Sequence, residues 1–352
     1  MPPVAAQVPV VPAVDQATVR GALLDWYDAH RRTLVWRSGP GQGRPDPYRV
    51  WLSEVMLQQT TTPHATPYFL AFTQRWPTVI DLAAADDGEV MAAWAGLGYY
   101  ARARNLLACA RVVARGHGGV FPDTEAGLLA LPGIGAYTAA AIAAIAFDRP
   151  ANVVDGNVER VMARLFAVGT PLPTARPELR RLAGTLVEDH RPGDWAQALM
   201  DLGATVCRPG RPLCDRCPLT GWCGGFRFGQ PERYPLKAAK AERPRRYGVA
   251  WVLRDDRGRV AVVRRPDKGL LGGMLGLPTS DWSADDTDSA LPPAPAVWCA
   301  VGTVDHIFTH FALTLDVRVA TGQGDFLWRT PEEALGALPT VFRKALVRAL
   351  GA

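Results

Sequence analysis

LPGIGAYTAAAIAAIAF, running from Leu131 to Phe147, is the stretch that decides the fold. Gly133 and Gly135 allow a tight turn between two short helices, because glycine adopts backbone conformations closed to other residues. The Ala-rich helix after the turn has small side chains and can pack very close to its neighbours. This is the pattern of a helix–hairpin–helix. With no side chain in the way, backbone N–H groups at the hairpin and at the helix start can approach a nucleic-acid phosphate directly.

On either side of the hairpin the chain reads as helix after helix, from residue 16 to about 225. Asp46-Pro47 is a strong helix start, with Asp as the N-cap and Pro in the first turn. The helix runs on through YRVWLSEVMLQQT and carries Glu54 among Trp51, Leu52, Val55, Met56 and Leu57. Apolar surroundings disfavour the ionised carboxyl, so its pKa rises toward the range in which a general acid works at neutral pH. Twenty residues past Gly135 comes Asp155, at the head of the helical run NVERVMAR. An N-cap is its first role, and the helix N-terminus favours negative charge there. Two carboxyls whose environments push their protonation apart are the usual arrangement for cleaving a glycosidic bond.

The sharpest signal lies further along: Cys207, Cys214, Cys217 and Cys223, spaced C-x6-C-x2-C-x5-C. Clustered thiols in an intracellular chain point to a metal rather than to disulfides. Zinc and an iron–sulfur cluster both remain open on the residues. The irregular spacing departs from the paired knuckles of zinc ribbons, whereas four thiolates from one loop can hold a [4Fe–4S] cubane. Arg208, Arg211 and Arg216 interleave with the cysteines and would face phosphates. Cys109 and Cys299 are isolated and read as buried structural thiols.

Composition is consistent with this. The chain has 352 residues, 48% of them hydrophobic, a formal charge of +5 and a pI near 9.0. That length holds two domains, and the charge suits an acidic partner. Residues 227–246 concentrate seven Lys or Arg against two Glu, as a basic linker near phosphates would. Residues 1–14 carry no charge, lack the features of a signal peptide and read as a disordered tail. No stretch reaches the roughly 20 apolar residues of a membrane span. The expectation is a soluble protein of the cytoplasm, associated with the nucleoid.

Six motifs occur in order over some 200 residues: WLSEVMLQQT (Trp51 to Thr60), GLGYYARARNL (Gly96 to Leu106), LPGIGAYTA, VDGNVERV, ALMDLGA and the four-cysteine loop. Together they resemble the MutY-type adenine DNA glycosylases. The hairpin, the Asp and the cysteine spacing are shared with the wider superfamily that includes endonuclease III. Its lyase members carry a Lys where this chain has Tyr137, and a tyrosine cannot form their Schiff base.

The resemblance implies a monofunctional enzyme, a monomer, that hydrolyses adenine from double-stranded DNA containing an adenine:8-oxoguanine mispair, or opposite guanine. It implies Glu54 as proton donor to the base, Asp155 as stabiliser of the oxocarbenium-like sugar, and Tyr137 and Asn157 as residues that orient the acids. It further implies that Trp36, Arg37 and Gln197 line the adenine pocket, that Gln59 and Tyr99 wedge into the base stack, that Gly133 and Gly135 meet the phosphate, and that the four cysteines hold a [4Fe–4S] cluster.

Beyond residue 246 the pattern changes to strands. Tyr247 to Leu253 and Arg259 to Arg264 flank the turn Asp255-Asp256-Arg257-Gly258 as a hairpin, and Phe311 to Val319 alternates. Thr330-Pro331-Glu332-Glu333 opens a helix as a capping box. This part resembles the Nudix-like C-terminal domain of the same enzymes. It lacks the acidic metal-binding helix of Nudix hydrolases, since Asp281, Asp285, Asp286 and Asp288 do not have that spacing, so nucleotide hydrolysis is not expected. Phe308, Thr309 and His310 stand where the family carries a Phe-Ser-His loop that reads 8-oxoguanine. The whole is thus expected to be multi-domain: a mostly α glycosylase domain over 15–226 that includes the cluster loop 207–223, a linker over 227–246, and an α/β lesion-recognition domain over 247–352.

Overall fold

Asp46 accepts a hydrogen bond from the Tyr48 N–H at 2.9 Å and Pro47 occupies the first turn, so the helix begins where the sequence places it. The computed structural model describes residues 15–39, 43–238, 243–266, 269–284, 290–308 and 310–351. The tail 1–14, Thr309, Asp285, Asp286 and Asp288 lie outside these. The chain divides into two units, Met1–Ala238 and Ala239–Ala352.

The first unit is helical. Helices α1 (Gln16–His30), α2 (Pro47–Leu57), α3 (Thr62–Arg75), α4 (Val79–Ala84), α5 (Asp87–Ala93) and α6 (Tyr100–Gly116) lead to the hairpin pair α7 (Glu125–Leu129) and α8 (Ala136–Phe147). After them come α9 (Gly156–Leu165), α10 (Arg176–Gly184), α11 (Pro192–Thr205) and the short α12 (Gly224–Arg227). One core, with Trp51, Phe69, Phe72, Trp94 and Leu106, joins α2 to α8. A second, with Leu23, Tyr27, Met162, Trp195 and Leu199, joins α1 to α9 and α11.

Helix α8 binds the two cores together, because its run Ala139–Ala144 is buried throughout and packs against both α2 and α11. Alanine permits that approach, and a larger side chain there would overpack the site by about 1–3 kcal/mol. In the hairpin turn, Gly133 has φ +74°, and a Cβ on it would stand 2.7 Å from the Asn105 Cβ. Only glycine fits both conditions.

The cysteine loop follows α11 and remains part of this unit. Backbone hydrogen bonds from Leu172 N to Leu236 O (2.8 Å) and from Ala238 N to Leu172 O (3.2 Å) bring the chain back across it. Most of the segment expected as a linker is therefore structured. Residues 227–238 belong to the first unit, and Arg245 and Arg246 to a strand of the second.

Among the described residues the second unit is a mixed sheet with two helices. Strands β1 (Arg245–Arg254) and β2 (Val260–Arg264) form the antiparallel hairpin. In its turn, Asp255 Oδ1 accepts from the N–H groups of Arg257 (3.1 Å) and Arg259 (2.7 Å). With β3 (Leu275–Gly276), β4 (Cys299–Ile307) and β5 (Ala312–Thr321), the order is β3-β2-β1-β5-β4, and β6 (Leu327–Arg329) pairs with β2. Strand β5 runs parallel to β1 in unbroken register from Arg245↔Ala312 to Arg254↔Thr321. Helix α13 (Pro331–Ala337) starts in the expected capping box of Thr330 and Glu333, and α14 (Thr340–Leu350) buries Phe342 and Leu346 in the core.

Cys109 is buried, as expected of an isolated structural thiol, but Cys299, read the same way, is exposed. It opens β4, at one end of the sheet order, with its side chain exposed. Among the described residues no helix is long and apolar enough to cross a membrane.

Candidate active site

Four elements meet around a cavity of about 650 Å³, within the roughly 300–1,000 Å³ of small-molecule sites. Glu54 comes from α2, Tyr137 from the first turn of α8, Gln197 and Met200 from α11, and Asp155 and Asn157 from the head of α9. Trp36 and Arg37 close one wall. Seven of the residues singled out in the sequence are thus neighbours in space, although Trp36 and Gln197 stand 161 positions apart.

Glu54 is 8% exposed. Burial raises its carboxyl from an ordinary 4.5 to about 7; the Tyr137 hydroxyl and Arg37 pull the value down, while the negative charge of Asp155 adds to the rise. Tyr137 in turn is pushed well above the ordinary 10 by burial and by the two carboxyls, so its proton is held tightly. Its hydroxyl also donates to Met200 Sδ at 3.5 Å.

Asp155 caps α9. Its Oδ1 accepts from the N–H groups of Asn157 (2.9 Å) and Val158 (2.7 Å), and its Oδ2 from Asn157 Nδ2 (2.8 Å). Asn157 Oδ1 accepts from Arg160 at 2.8 Å, so the amide is fixed from both ends. Gly203 on α11 lets the helices close over this pair, since a Cβ there would stand 2.6 Å from the Asn157 Cβ.

Sequence reasoning missed what holds Arg37. Asp201, wholly buried on α11, accepts from Arg37 Nη1 and Nη2 at 2.6 and 2.9 Å, and from Arg32 Nε at 2.5 Å. Burial alone would raise the Asp201 carboxyl, but Arg37 and Arg32 outweigh it and hold the value below the usual carboxylate range. Asp201 lies within ALMDLGA, an otherwise apolar run, and a carboxylate in such a run is seldom buried unpaired. That was the available signal.

The remaining candidates lie elsewhere. Gln59 and Tyr99 are exposed, both in the left-handed region with φ +57° and +51°. Gly133 and Gly135 form the hairpin turn, Gly135 as the N-cap of α8. In the second unit, Phe308 stacks on Trp282 with ring centroids 5.7 Å apart and meets His306 edge-on, while His310 is exposed.

The four cysteines line one small apolar pocket with Leu213, Pro212, Val206 and Phe226. No group of three or more His, Cys, Asp or Glu side chains among the described residues is placed to hold a single metal ion. Four soft sulfur donors around one apolar space do fit a larger thiolate-bound cluster. Arg164, 2% exposed, supports the loop. Its Nη1 donates to Cys207 Sγ (3.3 Å) and Arg208 O (2.7 Å), its Nη2 to Pro209 O (2.9 Å) and its Nε to Tyr234 O (3.0 Å). Burial pushes the Cys217 thiol up to about 12. Arg208, Arg211 and Arg216 are exposed around the loop.

A helical hairpin beside a cavity that gathers two carboxyls defines a helix–hairpin–helix glycosylase, and residues 52–184 match the HhH-GPD superfamily of base excision DNA repair proteins. The chain belongs to the adenine DNA glycosylase family, and it is a DNA glycosylase. It is 36% identical to the adenine DNA glycosylase of Mus musculus over 402 residues, covering 95% of this chain and 78% of that protein. With the adenine DNA glycosylase of Mycolicibacterium smegmatis the identity is 41%, over 66% of this chain and 79% of that protein. A solved thermostable thymine-DNA glycosylase shares the fold of the first unit, with a TM-score of 0.55 and 30% identity, covering 60% of this chain and 97% of the other. Residues 249–348 match the NUDIX domain.

Proposed function

We propose that this glycosylase removes adenine mispaired with 8-oxoguanine, or with guanine, in double-stranded DNA by hydrolysis, without cutting the strand. The observation that carries the proposal is the meeting, in one cavity, of a buried carboxyl that stays protonated to about neutral pH with a second carboxyl fixed at a helix N-terminus. The target base leaves the helix to reach that cavity. Trp36 and Gln197 bound the space it enters, and Arg37, pinned by Asp201, supplies fixed donors.

Adenine is a poor anionic leaving group, so Glu54 gives its proton to N7 as the C1′–N9 bond breaks. Positive charge that develops on the sugar is met by Asp155, whose orientation Asn157 and the α9 amides fix. Glu54, now a carboxylate, takes a proton from the water that bonds to C1′, and Tyr137 keeps the acid in place. An amine at position 137 would open a covalent lyase route; the tyrosine keeps the chemistry hydrolytic.

The hairpin backbone at Gly133 and Gly135 meets a phosphate, Gln59 and Tyr99 enter the stack, and Phe308, Thr309 and His310 read the opposite base. Cys207, Cys214, Cys217 and Cys223 would hold a [4Fe–4S] cluster, which when bound crosslinks the loop that presents Arg208, Arg211 and Arg216. The enzyme works as a monomer inside the cell, on the nucleoid.

The test is single-turnover excision from duplexes carrying adenine opposite 8-oxoguanine or guanine, with wild type beside Glu54→Gln. Wild type should release adenine from both, faster opposite 8-oxoguanine, and leave an abasic site that borohydride does not trap. Glu54→Gln should bind DNA and lose excision by roughly a thousandfold or more. Full activity in Glu54→Gln, or release of a different base, would overturn the proposal.

A further inference from the structure

Two loops that stand 40 positions apart in the chain are tied to one guanidinium. Arg102, in the first turn of α6, donates through Nη1 to the carbonyls of Val55 (3.2 Å), Met56 (3.3 Å) and Gln58, where α2 ends. Through Nη2 it donates to Leu97 (2.9 Å) and Gly98 (3.4 Å), in the loop that leads into α6. Its guanidinium lies over the rings of Trp94 and Tyr99, 5.5 Å from each centroid.

Immediately beyond the two clamped segments are Gln59 and Tyr99, two non-glycine residues with φ of +57° and +51°. Such conformations are strained and persist only where the surroundings over-determine them. Both side chains stand out from the surface, Tyr99 with 65% of its area exposed. The clamp itself is imperfect: Arg102 Nε is buried with no hydrogen-bond partner among the described residues. A guanidinium held there with one N–H unsatisfied is placed for the carbonyls it reaches rather than for its own comfort.

We propose that Arg102 is a positioning residue that locks Gln59 and Tyr99 into a single rigid wedge, so that duplex DNA meets both tips at a fixed separation. This rests on the proposed entry of those two residues into the base stack. The wedge shares its footing with the hairpin. Asn105, on the same helix as Arg102, packs under Gly133, and Gln58 Nε2 donates to Thr138 Oγ1 of α8 at 3.4 Å. A phosphate gripped at the hairpin is thereby held at a set offset from the tips. Lysine cannot replace the arginine, because one ammonium lacks the planar fork that reaches both loops.

The experiment compares full-length wild type, Arg102→Lys and Arg102→Met in single-turnover excision from two substrates. One is a fully paired duplex with a single adenine:8-oxoguanine pair; the other has the flanking pairs mismatched, so that the adenine is already loosely stacked. Both variants should lose about tenfold or more on the paired duplex and less than about threefold on the loosened one. The fluorescence of 2-aminopurine placed beside the target should report the same loss of extrusion. In a Gln59→Ala/Tyr99→Ala background, adding Arg102→Lys should cost less than about twofold, because its effect passes through the absent tips.

Equal losses on the two substrates, or a full loss in the background without tips, would assign Arg102 a general structural role and overturn the proposal. No loss on either substrate would likewise overturn the proposal, by showing that excision does not depend on Arg102. Wild type that excises adenine from neither substrate would instead overturn the functional reading beneath it, and the wedge with it.

Discussion

Burial raises the Glu54 carboxyl from 4.5 to about 7, and two effects of definite sign follow. As the proposed general acid it works while protonated, so single-turnover excision should fall about tenfold per pH unit once the pH passes well above 7. Stability should move the same way. A carboxyl with a raised folded-state pKa contributes stability that is fully present below the unfolded value near 4.5 and is lost as the pH rises through the folded value near 7. Relative to Glu54→Gln, wild type should lose on the order of 3 kcal/mol between those limits and little beyond them. Thermal unfolding of both proteins from about pH 5 to pH 8 checks it, and a Tm difference that stays flat would contradict the burial argument. Glu54 was legible in the sequence because its apolar neighbours on α2 surround it locally. Asp201 was not, since Arg32 and Arg37 reach it from another part of the chain.

Among the elements, the hairpin was legible because its glycines are local necessities: Gly133 needs φ +74° and sits against Asn105. The cysteine loop was legible as four clustered thiols but not as a packed element. Its support is Arg164 on α9, which gathers carbonyls from two segments of the loop region, and the return of residues 236–238 past Leu172. Cys217→Ser should lower the iron bound per chain and reduce the melting temperature by several degrees, because binding free energy at such a site is folding free energy. Iron analysis beside thermal unfolding tests this. Undiminished iron in the variant would remove Cys217 from the ligand set. The boundary between the two units falls within the basic segment 227–246, but that residues 227–238 pack with the first unit was not legible, because a basic composition says that a segment is solvated on one side, not that it is free on the other.

For the whole molecule, the two units divide the task as proposed, chemistry in the helical one and recognition of the partner base in the sheet unit. His310 is exposed and Phe308 is fastened in the aromatic cluster with Trp282 and Phe311, so His310 is the safer probe. His310→Ala should reduce the ratio of excision rates opposite 8-oxoguanine and opposite guanine by about tenfold, the worth of one lost hydrogen bond to a buried or charged partner, with the rate opposite guanine and the Tm unchanged. An unaltered ratio would move recognition away from this loop. Local chemistry in the sequence determined the helix starts at Asp46 and Asp155, the hairpin, the cluster of four cysteines, the strand alternation after residue 246 and the pair of acids, because caps, turns and residue spacing act over a few residues. Only the tertiary structure decided that Asp201 pins Arg37, that Arg164 seats the cysteine loop, that β5 lies parallel to β1 and that Arg102 joins two loops. Those contacts connect residues tens to well over a hundred positions apart, and no local pattern encodes which partner a buried charge will find.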